Sequence, residues 1–202
     1  MTIKEIFTQR GIKPGGILHV GAAMLEEAQD YKDMGVETVI WVEAAPEDQT
    51  RYERACLFGH VLYDECALGE ENGKATFRVA SNGHSSSILP FARHSQLYPD
   101  IIVTEEIEVP MYRADHLFKH FPPEIDTLVL DVQGAELMVL KGMGKLLEQI
   151  KWIHAEVSLT ELYQGQALKP ALDQWLKEHG FPRSEFFEVH ISEWGEEIFY
   201  RE

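Results

Sequence analysis

The sequence predicts an α/β fold with a mostly parallel, twisted sheet and helices on both faces. Short apolar runs alternate along the chain with segments of helical periodicity, which is the pattern of a parallel sheet. A middle segment, about residues 74–112, and the C-terminal end break this alternation with strands that look antiparallel. We therefore expect a single domain over residues 1–202 that carries a small β insertion and an antiparallel terminal strand pair.

The first half of the chain supplies three strands and two helices. The predicted strands are the apolar runs 17–20, 39–42 and 61–63. The helix predicted over residues 24–34 carries one apolar stripe and ends at Gly35, and the helix predicted over 47–58 follows Pro46.

The second half begins with two strands that look antiparallel and then returns to the alternating pattern. The predicted elements are strands 74–79 and 106–112 around the loop 81–87, strand 127–130, helix 134–141 and strand 152–157. Leu168, Leu172 and Leu176 then mark an amphipathic helix that ends at Gly180. Strands 185–190 and 197–200 follow, with a turn expected at Trp194–Gly195.

The charge and the cysteine count exclude several classes of function. The chain has 34 acidic and 18 basic residues and a net charge of −16, so nucleic acid and anionic membrane surfaces are poor partners. Residues 1–10 lack the apolar core of a signal peptide, and no stretch approaches the ~18 apolar residues of a membrane span. Two cysteines, Cys56 and Cys66, form neither a disulfide framework nor a zinc site, which favours a reducing cytoplasm.

Ligands of such sheets bind at the carboxyl ends of the strands, so the residues that follow each strand are the candidates. Gly21 follows the first strand, and Glu43 follows the second, 22 residues later. A carboxylate at that spacing is typical of nucleotide-binding domains, where it accepts hydrogen bonds from ribose hydroxyls. The alternative to a nucleotide site is that Gly21 only forms a tight turn and that Glu43 is a solvated acid at the end of its strand. The full glycine fingerprint of dinucleotide-binding proteins is absent, since Ala23 and Leu25 stand near the expected glycine positions.

Further candidates follow the fourth strand and lie within the fifth. Asp131 is the first polar residue after strand 127–130, where it serves either as a ligand of the site or as a helix cap, and Glu136 suits the first turn of the helix. His154 and Glu156 share one face of their strand, although a lone histidine in an apolar strand is more often a core residue. The loop 81–87 is rich in hydroxyls, and it is either a surface loop or part of the site.

These motifs, in this order, resemble those of the FkbM-family methyltransferases over about residues 15–190. The matching segments are Val20-Gly21-Ala22, Trp41-Val42-Glu43-Ala44-Ala45-Pro46, Ala67-Leu68-Gly69 followed by Gly73, Ser85-Ser86-Ser87-Ile88, Asp131-Val132-Gln133-Gly134-Ala135-Glu136 with Val139-Leu140-Lys141-Gly142, and Glu156-Val157-Ser158. The Asp131–Glu136 block is the most specific of them, and the family usually has Glu at the position of Gln133.

The resemblance implies a Rossmann-like class I methyltransferase fold, S-adenosylmethionine as cofactor, and transfer of methyl to a hydroxyl of a sugar or a small secondary metabolite. The implied cofactor-binding residues are His19, Gly21, Ala22, Glu43, Asp64, Ala67 and Asp131. The catalytic candidates are Asp131, His154 and Glu156, and the acceptor-binding candidates are His84, Ser85, Ser86, Ser87 and Gln133. This chemistry requires no metal, and no tight metal-ligand spacing is present, so the one open alternative is a catalytic magnesium ion bound by Asp131 and one other carboxylate.

Three positions depart from the family pattern. His19 stands where the family usually has Asp, Ala23 where it has Asn or His, and Leu25 where it has Gly, so Leu25 is expected to add bulk beside the cofactor. These departures support the main competing hypothesis, a binding or scaffold protein that has lost catalysis. A nicotinamide-dependent enzyme is the third hypothesis, disfavoured because the glycine fingerprint is missing.

Overall fold

The computed structural model describes residues 2–188 and 193–201 and contains a seven-stranded and a three-stranded sheet. In chain order the elements are α1 (Ile3–Arg10), β1 (Gly16–Val20), α2 (Ala28–Asp33), β2 (Thr38–Val42), α3 (Gln49–Phe58), β3 (Val61–Tyr63), β4 (Ala67–Leu68), β5 (Gly73–Ala80), α4 (His94–Leu97), β6 (Val103–Tyr112), α5 (Ala114–Leu117), β7 (Ile125–Leu130), α6 (Glu136–Met143), a 3-10 helix (Gly144–Gln149), β8 (Trp152–Ser158), α7 (Lys169–Glu178), β9 (Arg183–Glu188) and β10 (Trp194–Tyr200).

The large sheet confirms the predicted class. Its strand order is β3-β2-β1-β7-β8-β10-β9, and β10 runs antiparallel to both of its neighbours while the other pairs are parallel. The chain moves outward from β1 to β3 on one side and then resumes beside β1 with β7. The strand order therefore reverses between β1 and β7, and a crevice for ligands is expected at the carboxyl ends of these two strands.

Helices cover both faces of the large sheet because its central strands are apolar on both sides. Leu18 and Val20 of β1 belong to the core beneath α5, α6 and α7. Ile17 belongs to the opposite core, to which α1, α2 and α3 contribute residues such as Phe7 and Tyr31. In the part of the chain that the structure describes, no helix is both long enough and apolar enough to span a bilayer.

The small sheet corresponds to the β insertion expected at about residues 74–112. Its order is β4-β6-β5, with β5 and β6 antiparallel and β4 parallel to β6. The two-residue strand β4 is too short to leave a sequence pattern. Phe77, Val109 and Met111 form its own small core, which packs against Ala44 and Ala45 after β2 and thereby places the insertion beside the end of that strand.

Two local predictions differ from the structure. The helix predicted over residues 24–34 begins only at Ala28, because Ala23 and Leu25 have φ values of 42° and 57° and thus cannot belong to a right-handed helix. The turn predicted at Trp194–Gly195 is instead part of β10, because β8 extends to Ser158 and pairs with Trp194. Residues 189 and 190 of the predicted strand 185–190 lie outside the described residues.

Candidate functional site

A cavity of about 230 Å³ opens at the carboxyl ends of β1, β2 and β7, where the strand order reverses. We call it the first cavity. The candidate residues that line it are Gly21, Glu43, Ala67, His84, Ser86, Ser87, Asp131 and Gln133. Its wall is otherwise largely apolar, with Val20, Val42, Leu68, Phe77 and Ile88 among the lining residues. The structure thus brings together residues that are more than a hundred positions apart in the sequence.

Glu43 is the buried carboxylate of the first cavity. Its side chain accepts a hydrogen bond from Ala23 N at 2.7 Å on Oε2 and another from Ala45 N at 2.7 Å on Oε1. Only 6% of the residue is exposed, so burial raises its pKa, while these two hydrogen bonds and the nearby Arg51 oppose the rise. Because each carboxylate oxygen has two lone pairs, Glu43 keeps one acceptor position on each oxygen.

The turn between β1 and α2 forms the floor of the first cavity beside Glu43. Arg51, which is buried, donates from Nε to Ala23 O at 2.8 Å and forms an ion pair with Asp64. Arg54 donates from Nη1 to Met24 O at 2.5 Å. Two arginines of α3 therefore hold the carbonyl groups of this turn and stabilise its left-handed backbone. The sequence analysis missed them because an arginine in an exposed-looking helix gives no sign of an inward contact.

Gly21 lines the first cavity, but its backbone is also constrained from the opposite side. A Cβ atom at this position would lie 1.8 Å from the carbonyl oxygen of Asp131, and its φ is +85°. Glycine is thus required where β1 and β7 meet, whether or not a ligand is present.

Three residues predicted to bind the cofactor lie away from the first cavity. The His19 ring is buried under α2, where Nδ1 lies 2.9 Å from the Tyr31 hydroxyl and the ring stacks near Trp41, and burial lowers its pKa to about 3. Ala22 is packed in the core on the same face of the sheet. Asp64 directs its carboxylate to Arg51, and it is not among the residues that line the cavity.

Leu25 does not add bulk beside the cofactor site, contrary to the expectation from the family pattern. It is fully buried in the core with Ala28 and Tyr31, and it is absent from the lining of the first cavity. The left-handed backbone at this position turns the side chain inward, so the departure from glycine affects packing. Leu25 therefore does not narrow the first cavity.

Asp131 and Glu156, which we call the carboxylate pair, are joined by the side chain of Gln133. Its Nε2 donates to Asp131 Oδ1 at 2.7 Å and to Glu156 Oε2 at 3.3 Å. Its Oε1 accepts from the Tyr163 hydroxyl at 2.7 Å. Asp131 is exposed to the cavity, Glu156 and Gln133 are half-buried, and Tyr163 is buried. Asp131 and Glu156 are both catalytic candidates, and the structure places them side by side.

Four carboxyl groups in and beside this pair have elevated pKa values. Burial raises the pKa of Glu156 well above its usual value, and the charge of Asp131 raises it further. Desolvation within the cavity also raises the pKa of Asp131, although its surface is accessible there, whereas the hydrogen bond from Gln133 opposes the rise. The pKa of Glu27 and that of Glu136 reach about 7, in both cases chiefly through burial. Such clustering of perturbed carboxylates is typical of functional sites.

A second cavity, of about 320 Å³, adjoins the first beneath the start of α2. Asp131 and Glu26 line both cavities. The other charged or titratable residues of the second cavity are His19, Glu27, Asp30, His154, Glu156 and Glu196, and its described lining contains no Lys or Arg. His154 Nε2 lies 3.1 Å from Glu196 Oε2, and the ring contacts Phe7 edge-on. The catalytic candidate His154 thus lies in the second cavity.

The loop 81–87 covers one side of the first cavity. His84, Ser86 and Ser87 line it, whereas Ser85 faces away and accepts from Asn82 Nδ2 at 3.0 Å. The Ser87 hydroxyl donates to Gln133 O at 2.8 Å, so the loop is attached to the segment that carries the carboxylate pair. Within residues 2–188 and 193–201, no group of three or more His, Cys, Asp or Glu residues is arranged to hold a metal ion.

Comparison with known proteins identifies the family. The methyltransferase FkbM domain matches residues 19–182, which is most of the chain. The chain belongs to the FkbM methyltransferase family. The resemblance predicted from the sequence motifs is therefore confirmed, and the matched segment contains both halves of the first cavity.

One curated protein to which the chain is similar in sequence is the 2-O-methyltransferase NoeI of Sinorhizobium fredii (strain NBRC 101917 / NGR234). It is 34% identical over 119 residues. The match covers 54% of this chain and 49% of NoeI, so the aligned part spans about half the length of that relative.

Solved structures show the same fold in other methyltransferases. The methyltransferase domain of bacterial CtHen1-C matches with a TM-score of 0.51 and 9% identity, covering 98% of this chain and 94% of that one. The ribosomal protein L11 methylase of Lactobacillus delbrueckii subsp. bulgaricus matches with a TM-score of 0.50 and 12% identity, covering 98% and 76%. The FkbM domain thus has the class I methyltransferase fold.

S-adenosylmethionine is the cofactor that this family and this fold imply, and the residues of the first cavity fit it. Glu43 retains two acceptor positions for the two ribose hydroxyls. Ala67, Leu68 and Phe77 supply an apolar wall of the kind that an adenine ring requires.

Proposed function

We propose that this protein transfers a methyl group from S-adenosylmethionine to a hydroxyl oxygen of a sugar or a small secondary metabolite. The observation that carries the proposal is the position of Asp131, whose exposed carboxylate lines both cavities. The first cavity is assigned to the cofactor, and the second to the acceptor. An acceptor in the second cavity then meets the cofactor at Asp131.

Asp131 is the general base in this proposal. S-adenosylmethionine, when bound, supplies a methyl carbon on a cationic sulfur, which keeps the C–S electron pair on transfer. The acceptor hydroxyl must lose its proton as its oxygen bonds to that carbon. Because Gln133 engages Oδ1 of Asp131, we assign the proton to Oδ2. Burial and the neighbouring charge of Asp131 raise the pKa of Glu156 well above its usual value, so Glu156 holds a proton more readily than an exposed carboxyl group does.

Three further observations support a small hydroxylated acceptor. NoeI, the partial relative, carries the name 2-O-methyltransferase. The second cavity is lined by carboxylates, which are suitable acceptors for sugar hydroxyls. The fold itself does not distinguish a small molecule from a nucleic acid, but a net charge of −16 opposes binding to a polyanion.

The two free cysteines, of which Cys56 is exposed, suit the cytoplasm.

Calorimetry and a turnover assay test the proposal together. We expect S-adenosylmethionine and its demethylated product to bind, and we expect the demethylated product to be released in the presence of a hydroxylated acceptor from a panel of neutral sugars, amino sugars and small alcohols. Binding without turnover across the panel would overturn the proposed reaction and favour the scaffold hypothesis. Absence of binding to the folded protein would overturn the assignment of the first cavity as well.

A further inference from the structure

We propose that Gln133 is a positioning residue for methyl transfer: its amide group holds the carboxylates of Asp131 and Glu156 together and fixes the oxygen of Asp131 that faces the acceptor. This inference rests on the proposed function, since it assumes that Asp131 is the base. It assigns Gln133 a role different from the acceptor contact predicted from the sequence.

The hydrogen bonds of Gln133 define the orientation of its amide. The two N–H groups of Nε2 match the two carboxylates, and Oε1 receives the hydroxyl of Tyr163. If the amide were turned over, its Oε1 would face the two carboxylates, and electrostatic repulsion disfavours that arrangement. The Tyr163 hydroxyl also donates to Ser85 O at 3.2 Å and fits either end of the amide, so the carboxylates select the orientation.

The backbone of Gln133 is held in place as firmly as its side chain. Its φ of 50° is left-handed, a conformation that is unfavourable for a residue with a Cβ atom. The Ser87 hydroxyl donates to its carbonyl oxygen at 2.8 Å, which fixes the peptide in this conformation. Retention of a strained, non-glycine conformation beside candidate catalytic groups indicates that the side chain at this position matters.

The charge of the amide is as important as its geometry. The titratable groups around the pair are Glu27 of α2, Glu136 of α6, His154 of β8, Glu196 of β10, Tyr163 and His84. Three of these six groups are carboxylic acids, and Asp131 and Glu156 themselves are two more, so a carboxylate at position 133 would add a sixth carboxyl group to the site. A neutral donor instead stabilises the charged form of the pair. Glutamine therefore favours the ionised form of Asp131, whereas glutamate would disfavour it.

Titration of the carboxyl carbons tests this role without any acceptor. Protein labelled with ¹³C in the Asp and Glu side chains is titrated by NMR for the parent, Gln133→Met and Gln133→Glu, with signals assigned through Asp131→Asn and Glu156→Gln. Loss of the donors in Gln133→Met raises the pKa of the pair, and the added acid in Gln133→Glu raises it further, by about one pH unit or more. Unchanged titration curves in both variants would overturn the proposal.

Turnover gives the second readout. With the acceptor found by the panel, Gln133→Met lowers kcat by about 10- to 100-fold through misplacement of Asp131, whereas KM for S-adenosylmethionine stays near the parental value. The acidic limb of the kcat profile moves to higher pH. Parental kcat and an unchanged profile would contradict the inference while leaving the proposed function intact. If no acceptor of the panel is methylated, the proposed function is overturned. The NMR titration then still tests whether Gln133 couples the carboxylates of Asp131 and Glu156.

Two further variants control for folding. Gln149→Met is the matched control, because the Nε2 of Gln149 also makes two hydrogen bonds, to Pro122 O and Ile125 O at 2.8 Å each, and lies outside both cavities. It leaves the titration of the pair unchanged. Tyr163→Phe removes the hydroxyl that donates to Oε1 of the amide and to Ser85 O, and it shifts the titration in the same direction by less. If Gln133→Met fails to fold, an unshifted titration in Tyr163→Phe overturns the proposal.

Discussion

The two halves of the site are built by different means. The cofactor half, formed by the β1–α2 turn, Glu43 and Arg51, is held by hydrogen bonds between charged side chains and backbone groups. The carboxylate half, formed by Asp131, Gln133 and Glu156, consists of side chains that contact each other. A carboxylate that is held by backbone N–H groups, as Glu43 is, has a fixed position and is suited to binding a ligand. Carboxylates that lie close together, as Asp131 and Glu156 do, influence each other's pKa and are suited to proton transfer. We therefore expect the first half to govern affinity and the second to govern rate and pH dependence.

The largest effect is expected in the carboxylate half. Asp131→Asn keeps the shape of the side chain but removes the base, so turnover falls about 10²- to 10⁴-fold. Affinity for S-adenosylmethionine, measured by calorimetry, stays within a few-fold of the parent because Glu43 is untouched. Asp100→Asn serves as control, since Asp100 is exposed and lines neither cavity. The helix that follows has Ala135 at its N-cap and no side-chain cap, so near-parental turnover would refute the base assignment and leave Asp131 only its hydrogen bond with Gln133.

The second prediction concerns whether the β1–α2 turn is fixed by the core or by the cofactor. Leu25→Ala lowers the free energy of unfolding by about 2–4 kcal/mol, because Leu25 is completely buried. In Leu25→Gly, the glycine tolerates the left-handed backbone, which restores only about 1–2 kcal/mol of the lost free energy of unfolding. The affinity for the cofactor does not rise. Leu57→Ala is the control, since Leu57 is 77% exposed. Tighter cofactor binding by a stable Leu25→Gly variant would contradict our placement of this side chain.

The third prediction isolates the cofactor half. Glu43→Ala weakens binding of S-adenosylmethionine by about 1–3 kcal/mol, because the ribose hydroxyls lose a charged acceptor. Glu47→Ala, at an exposed position of the same loop, leaves affinity unchanged. Urea denaturation of both variants shows whether Glu43→Ala also destabilises the fold. Weaker cofactor binding without a loss of stability indicates a lost contact with the ribose, whereas a loss of stability indicates that the β1–α2 turn has lost its hydrogen bond from Ala23 N to Glu43. An equal affinity for Glu43→Ala and the parent would place the ribose elsewhere.

The smallest effect is expected from a buried acid behind the pair. The pKa of Glu136 is about 7 in the folded protein and about 4.5 when it is exposed, so the unfolded chain releases this proton first as pH rises. Its contribution to stability is therefore complete below about pH 4.5 and is lost by about pH 7. Glu136→Gln removes this loss and is more stable than the parent by about 1–3 kcal/mol at pH 8 and equally stable at pH 4.

Chemical denaturation at the two pH values measures the difference. Glu148→Gln, which changes an exposed acid of the 3-10 helix, shows no such dependence. A Glu136→Gln variant with the same stability difference at both pH values would mean that Glu136 is ionised in the folded protein.

The sequence allowed the sheet and the position of the cavity to be predicted because buried parallel strands leave continuous apolar runs. The runs that became β1, β2 and β7 located Gly21 and Asp131, and the spacing from Gly21 located Glu43. The orientation of His19 could not be predicted in this way. Both faces of β1 are buried, so the alternation of side chains does not indicate which face is next to the cavity.

The contacts within the site were less predictable than its position. Gln133 receives its hydrogen bond from Tyr163, which is 30 residues away on a different segment. Arg51 reaches Ala23 across 28 residues. Neither partner has a local sequence pattern, because such contacts depend on how loops pack after the strands are in place. The inward turn of Leu25 depends on a left-handed backbone that a leucine does not signal.

The parallel pairing of β1 with β7, which we call the seam, also affects how the protein folds. Residues 16 and 125 pair across it, whereas β1 pairs with β2 over a separation of only about twenty residues. We expect the local pair to form first, because the seam requires closure of a loop of about a hundred residues, which costs more entropy. Because Gly21 and Asp131 lie at the end of this seam, a ligand there binds only the closed form and stabilises the junction that forms late. Nascent or refolding chains should therefore reach the native state in higher yield when the cofactor is present.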